Sequence, residues 1–168
     1  MTATLNETFV ISSTFDAPRD LVWAAYTQPE HILHWWAAPG TEPMACEMDL
    51  SPGGIFHYGM KAADGSVIWG RWVIQTVTPP ERLVAITSFS DENGGVSRHP
   101  MAPVWPLETW AETTLEETDG RTTMTIRWTP HNATPEERQV FADSMASMTG
   151  GWTHTLNNLD AYLTQLTK

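Results

Sequence analysis

Residues 134–166 read TPEERQVFADSMASMTGGWTHTLNNLDAYLTQL, and this stretch decides the fold. Thr134 precedes Glu137 by three residues with Pro135 between them, the pattern of a capping box with proline at the first helical position. Beyond it, Phe141, Met145, Met148, Trp152, Leu156, Leu159, Leu163 and Leu166 fall within roughly 60° of one line at helical periodicity. The pattern predicts one long C-terminal helix with a continuous apolar stripe. Gly150 and Gly151 interrupt it, each costing about 1 kcal/mol relative to alanine. A stripe of this length needs cover, and the residues upstream supply it as a sheet.

Working back from the helix, Thr122 to Thr129 and Leu107 to Glu116 read as strands joined by a turn at Asp119-Gly120. Asp91 to Pro106 is rich in Gly, Pro, Asn and Ser and reads as a long loop. Further strands are predicted over Leu83 to Phe89, Val67 to Val77 and 55–60. In the last of these Phe56, Tyr58 and Met60 alternate with Ile55, His57 and Gly59. Met44, Cys46, Met48 and Leu50 alternate with polar or small residues and predict another strand, with all four on one face. Short strands in direct succession imply antiparallel pairing. Near the N-terminus, Thr8 to Phe15 reads as a strand. Pro18 opens a short helix with Leu21, Val22 and Ala25 on its apolar side. Pro29 opens a second that carries Ile32, Leu33, Trp35 and Trp36. The expected class is α+β, with a curved antiparallel sheet around a long C-terminal helix and two short N-terminal helices. One domain is expected over residues 1–168.

Composition narrows the function classes. The chain of 168 residues carries a net charge of −11 without a Lys/Arg cluster, which disfavours nucleic acid and anionic membranes as partners. No apolar run approaches the roughly 18 residues that a spanning helix needs. Met1 to Glu7 lacks the features of a secretory signal, and Cys46 is the single cysteine, so a cytoplasmic location is expected. Nine tryptophans beside eight methionines point to a dense core or an adaptable apolar pocket.

Several stretches taken in order carry a family resemblance. They are Ala17-Pro18-Arg19-Asp20-Leu21-Val22-Trp23, Trp35-Trp36-Ala37-Ala38-Pro39, Leu50-Ser51-Pro52-Gly53-Gly54, Pro79-Pro80-Glu81-Arg82-Leu83, Ser88-Phe89-Ser90-Asp91-Glu92, Trp105-Pro106-Leu107-Glu108 and Met148-Thr149-Gly150-Gly151-Trp152. Together they resemble the bacterial homologues of the activator of heat-shock-protein-90 ATPase, within the START-like (SRPBCC, helix-grip) superfamily. That superfamily includes the birch pollen allergen, polyketide aromatase/cyclases and calicheamicin resistance proteins. The resemblance covers nearly the whole chain and implies a helix-grip fold with a hydrophobic cavity bordered by the middle of the last helix. It implies no particular reaction. The family's usual Trp-Trp-Gly-Pro is one residue longer here, at Ala37-Ala38-Pro39.

The candidate ligand-binding residues are Trp36, Phe56, Tyr58, Trp72, Phe89, Glu108, Met145, Met148 and Trp152. Met145, Met148 and Trp152 read equally as core packing or as cavity wall. Phe56 and Tyr58 share a strand face with Met60, taken as inward, and Ile68, Trp72 and Ile74 share what is taken as the same face. Tyr58 has a hydroxyl that needs a partner if buried, so it is the residue best suited to orient a ligand. Glu108 reads either as a solvated edge charge or as a polar group at the pocket mouth. His57, Arg71 and His154 are expected to face outward. His31 and His34 lack an acidic or cysteine partner and make no metal site, and no cofactor is expected. Cys46 is expected as a small buried hydrophobe. No nucleophile–base motif is present in the sequence.

The expected function is to bind or carry a small hydrophobic, aromatic molecule. The alternatives are an enzyme of the cyclase or hydrolase type using the same cavity, with Tyr58, Glu108 or a histidine, and a chaperone-interaction module. A homodimer is a possible assembly.

Overall fold

Alternation along the strands sets which side of the sheet is core. In β1 (Phe9–Phe15), Phe9 and Phe15 are buried while Val10, Ser12 and Thr14 are exposed. The same period of two runs through β7 (Glu108–Thr118), where Thr109, Ala111, Thr113 and Leu115 point inward, and through β8 (Arg121–His131), where Thr122, Met124 and Ile126 do. The other strands are β2 (Thr41–Met48), β3 (Ile55–Ala62), β4 (Val67–Thr78), β5 (Arg82–Ser90) and the two-residue β6 (Val96–Ser97). All neighbours pair antiparallel in the order β1-β8-β7-β5-β4-β3-β2, and β6 adds to β5. The computed structural model describes residues 7–167; residues 1–6, where a leaderless N-terminus was expected, lie outside them.

Helices cover the inner face. α1 (Arg19–Thr27) and α2 (Pro29–Ile32) follow β1, and α3 (Pro135–Asp143) and α4 (Met145–Leu166) follow β8. The chain is thus an α+β helix-grip protein, its curled antiparallel sheet holding the long α4. The buried cluster joins Leu156, Leu159 and Leu163 of α4 to Phe9 and Phe15 of β1, Val22 and Tyr26 of α1, and the sheet residues Met124 and Ile126. At roughly 1.5–3 kcal/mol per fully buried apolar side chain, α4 makes a large share of the stability.

Three local features differ from the pattern read in the sequence. The expected single C-terminal helix is divided at Ser144, not at the glycines. The Ser144 hydroxyl donates to the Val140 carbonyl at 2.7 Å and its N–H donates to Phe141, three residues back, at 3.1 Å, tightening the turn. Helix α4 runs unbroken through Gly150 and Gly151. The capping box on α3 is formed in full, by Glu137 N–H on Thr134 Oγ1 at 3.1 Å and Thr134 N–H on Glu137 Oε1 at 2.9 Å. The second helix ends at Ile32, so Leu33 is 40% exposed and Trp35 and Trp36 sit in the turn that follows. In β2, register shifts between Pro43 and Ala45, which makes Met44 the extra residue of a bulge. Met44 is accordingly 41% exposed and does not share the face of Cys46 and Met48. Pro43 has no N–H to give the ladder, which favours an irregularity there.

The two leucines at the end of α4 provide a calibrated test. Leu159 is fully buried and Leu166 is 41% exposed. Leu159→Ala should lower the unfolding free energy in urea by about 2–5 kcal/mol, and Leu166→Ala by less than about 1 kcal/mol. Equal losses would place the helix in a different rotation about its axis.

Candidate functional site

Helix α4 packs with large side chains at its C-terminal end and presents small ones nearer its start. Ser144, Ser147, Gly151 and Thr155 follow one another at three- and four-residue steps and therefore lie on one face. That face opens on a chamber of about 440 Å3, within the range of small-molecule sites. A methyl group built at Gly151 would meet nothing within 4 Å, so the glycine itself creates space. Val140, Met148 and Trp152 complete the helical wall. Met60 and Phe89 of the sheet, Trp128 of β8, the Trp36-Ala37-Ala38 turn, and His99, Ala102 and Trp105 of the long loop complete the rest. A smaller inner chamber of about 150 Å3 lies against the sheet, bounded by Tyr58, Trp72, Thr87 and Thr109. The two chambers share Phe89, His99, Trp105 and Trp128 as a common wall.

Trp36 is the hub of this wall. Its ring meets those of Phe56, Tyr58, Trp72 and Trp152 edge-on, with centroids 5.4–5.9 Å apart. Trp152 in turn meets Trp128 edge-on at 5.6 Å. The turn that carries Trp36 is fixed from three sides. Trp35 Nε1 donates to the Ala25 carbonyl at 2.9 Å, Thr155 Oγ1 donates to the Ala37 carbonyl at 3.0 Å, and Ala38 N–H donates to Met60 Sδ at 3.3 Å. The extra residue at Ala37-Ala38-Pro39 therefore forms rim, tied to both helix and sheet.

Tyr58 reaches the inner chamber because its strand partner is Gly70. A Cβ at Gly70 would overlap the phenol ring, which lies across that position. On the outer face, Trp69 covers Gly59 in the same way, where a Cβ would stand 2.8 Å from the indole. Burial pushes the Tyr58 phenol up to about 12. The indoles of Trp72 and Trp36 oppose part of that rise, although Trp36 Nε1 completes no hydrogen bond of good geometry. Tyr58 thus stays protonated at neutral pH. Cys46 is half-buried, and burial first, then Glu47, pushes its thiol up to about 12. It behaves as a small hydrophobe.

Of the residues named from sequence, Trp36, Phe89, Met148 and Trp152 line the outer chamber, and Tyr58, Trp72 and again Phe89 line the inner one. Three do not line either. Phe56 lies beneath Trp36 and Trp72 and is 2% exposed, which makes it core. Met145, between the chamber-lining Ser144 and Ser147, turns to the core instead. Glu108 has the parity of the outward Trp110 and pairs with His131 across the ladder, so it sits on the outer side of β7. Sequence reasoning missed Trp128, which shares parity with Met124 and Ile126 and was recognisable as inward. It also missed Trp105 and His99, which lie in a loop without periodicity. His31 donates or accepts at Tyr162 Oη over 2.6 Å and His34 stacks on the same ring at 5.0 Å. Among the described residues no three His, Cys, Asp or Glu side chains gather in a metal-binding group, and no helix is long and apolar enough to cross a membrane.

Comparison with known proteins agrees with this architecture. The family model described as "Activator of Hsp90 ATPase homolog 1-like protein" matches residues 16–164. Protein Ms6760 from Mycobacterium smegmatis is similar at 25% identity with a TM-score of 0.76, over 98% of this chain and 96% of that one. A protein from Arthrobacter aurescens is similar at 29% identity and a TM-score of 0.76, over 95% of this chain and 87% of that one. Protein NE0264 from Nitrosomonas europaea shares the fold, at 23% identity and a TM-score of 0.76 over 99% of both chains. No match was found among curated proteins.

The loop that carries His99, Ala102 and Trp105 is pinned at its start. Arg98 Nη1 forms an ion pair with Glu137 Oε2 and donates to the Trp105 carbonyl at 3.3 Å. Glu137 is 6% exposed, and the Thr134 N–H first, then the Arg98 guanidinium, hold its carboxyl below the usual carboxylate range. A carboxyl whose pKa falls on folding adds stability that is full above its unfolded value, near pH ~4.3, and lost as pH falls through the folded value. Glu137→Gln should therefore cost about 1–2 kcal/mol at neutral pH, by urea unfolding, and that deficit should shrink on acidification. A deficit that stays constant through the acid range would show that the carboxylate charge is not its source.

Proposed function

The chain belongs to the activator of Hsp90 ATPase homolog 1-like family, and from that premise we propose that it binds a small hydrophobic, aromatic molecule in the chamber between the sheet and helix α4. One observation carries the reading. The helix opens a space of about 440 Å3 with Gly151 and its small neighbours, and the space is walled by Trp36, Phe89, Trp105, Trp128, Met148 and Trp152. Rigid aromatic faces give a flat ligand large contact area, and Met60 and Met148 let the wall re-pack around different shapes. Neither chamber has an Asp, Glu, Lys or Arg among its lining residues, so the attraction is apolar.

A flat aromatic ligand that buries about 300–400 Å2 gains roughly 8–10 kcal/mol at ~25 cal/mol per Å2. Association costs of at least about 4 kcal/mol leave ~4–6 kcal/mol, a Kd from about a millimolar to tens of micromolar.

Gly151→Leu supplies the test, because the new side chain grows into open space and should occupy the chamber without unfolding the protein. A solvatochromic hydrophobic dye titrated against tryptophan fluorescence should bind the parent protein in that range, with little response to salt, and should bind Gly151→Leu at least about tenfold more weakly. Gly70→Ala, which displaces Tyr58, should weaken binding only for ligands that reach the inner chamber. Undiminished dye binding by Gly151→Leu would move the binding site away from α4.

A further inference from the structure

The buried side-chain nitrogens and oxygens left without a hydrogen bond among the described residues are two, and both are donors in these walls. Trp36 Nε1, although it lies near the Tyr58 hydroxyl, and Trp128 Nε1 are both buried and complete no hydrogen bond of good geometry among the described residues. Trp36 is 8% exposed and lines the outer chamber, and Trp128 lines both chambers. An indole nitrogen can only donate, and a buried donor without an acceptor costs about as much as a lost hydrogen bond. The neighbouring Trp35 shows the contrast, since its own N–H is satisfied by the Ala25 carbonyl. His99, in the wall common to both chambers, adds a third donor. Its Nδ1 accepts from the Met101 backbone N–H at 3.0 Å, which leaves the proton of the neutral ring on Nε2. Burial lowers the His99 pKa, which favours the neutral ring. The hydroxyl protons of Ser144 and Thr155 are already given to backbone carbonyls.

We infer that the ligand is a neutral aromatic molecule bearing carbonyl-type acceptors, received by the indole N–H groups of Trp36 and Trp128 and by Nε2–H of His99. The inference rests on the binding role proposed above and narrows its chemistry. A neutral carbonyl is favoured over a carboxylate for two reasons. No Lys or Arg lines either chamber, and the net charge of −11 opposes the approach of anions. A plain hydrocarbon would fill the same volume and leave the donors unpaired, which is the situation in which a site discriminates most strongly.

The probes are 9-fluorenone and fluorene, which share a ring frame and differ by a carbonyl in place of a methylene. Isothermal titration of the purified full chain should show fluorenone binding about tenfold more tightly. Trp36→Phe and Trp128→Phe remove the N–H and keep a smaller aromatic ring, which alters the apolar wall for both probes alike; the readout is therefore the ratio of fluorenone to fluorene affinity, which each variant should reduce several-fold. Nitrogen-edited NMR of the parent protein gives a readout that does not depend on the variants folding. Two indole N–H resonances should move downfield with fluorenone and not with fluorene. Equal affinities, with no indole resonance shifted selectively, would overturn the inference and leave the apolar binding role standing, the donors being met by solvent. A carbonyl preference that survives both substitutions would overturn the assignment to the indoles. Failure of both probes and of the dye to bind would overturn the binding role itself.

Discussion

Helix α4 lies against β1 and α1 and closes the concave face of the sheet through Leu156, Leu159 and Leu163. That contact sets the position of everything at the site. It fixes the rotation of the helix, and the rotation decides that Gly151 and Thr155 face the chamber while His154 faces solvent. The helix is therefore a lever with one tightly packed arm. The other arm, from Met145 to Trp152, is held by the bend at Ser144 and by Thr155 reaching the Ala37 carbonyl. A curved sheet and a straight rod cannot stay in contact along their full length, and small residues are placed where they part.

The adjacent Trp35 and Trp36 show how closely structural and functional demands sit in the chain. Trp35 is 1% exposed, stacks on Tyr26 and has its N–H satisfied, so it anchors the turn to α1. Trp36, one residue on, meets the Trp35 ring edge-on at 5.4 Å and contributes to both the aromatic hub and the chamber wall. The first makes the second rigid. An indole donor held this firmly in low dielectric stays poised for an acceptor without having to reorganise, which is what gives a buried polar group its selectivity.

Much of the architecture was legible from periodicity alone. The stripe from Phe141 to Leu163, the capping box at Thr134 and the alternation in β3 and β4 report backbone geometry, and each is repeated often enough to average out local exceptions. The site was legible only in part. Residues on regular elements, such as Tyr58, Trp72 and Trp152, announce their face by parity or wheel position. Phe56 shares the parity of Tyr58 and is core, because depth along a strand is set by what packs above it and not by alternation. Glu108 stood at a strand start where parity was readable, but a loop precedes it and the pocket mouth invited a charge. The small-residue face at 144, 147, 151 and 155 was the missed signal: an apolar stripe marks where a helix packs, and a neighbouring stripe of small residues marks where it does not. His99 and Trp105 reach the walls through a loop path no periodicity encodes. The break at Ser144 depends on a side chain competing for a backbone carbonyl, which is a local choice a stripe conceals.

The reciprocal pairing of Tyr58 over Gly70 and Trp69 over Gly59 has a consequence for how the sheet assembles. In a hairpin, a shift of one residue sends every side chain to the opposite face. Here such a shift would also put each ring over a residue that carries a Cβ, on both faces at once. The two glycines thus act as sockets that accept the aromatic rings in one alignment of the β3–β4 hairpin. Hairpins often rely on their turn to set alignment; this one also sets it at mid-strand, on both faces of the sheet.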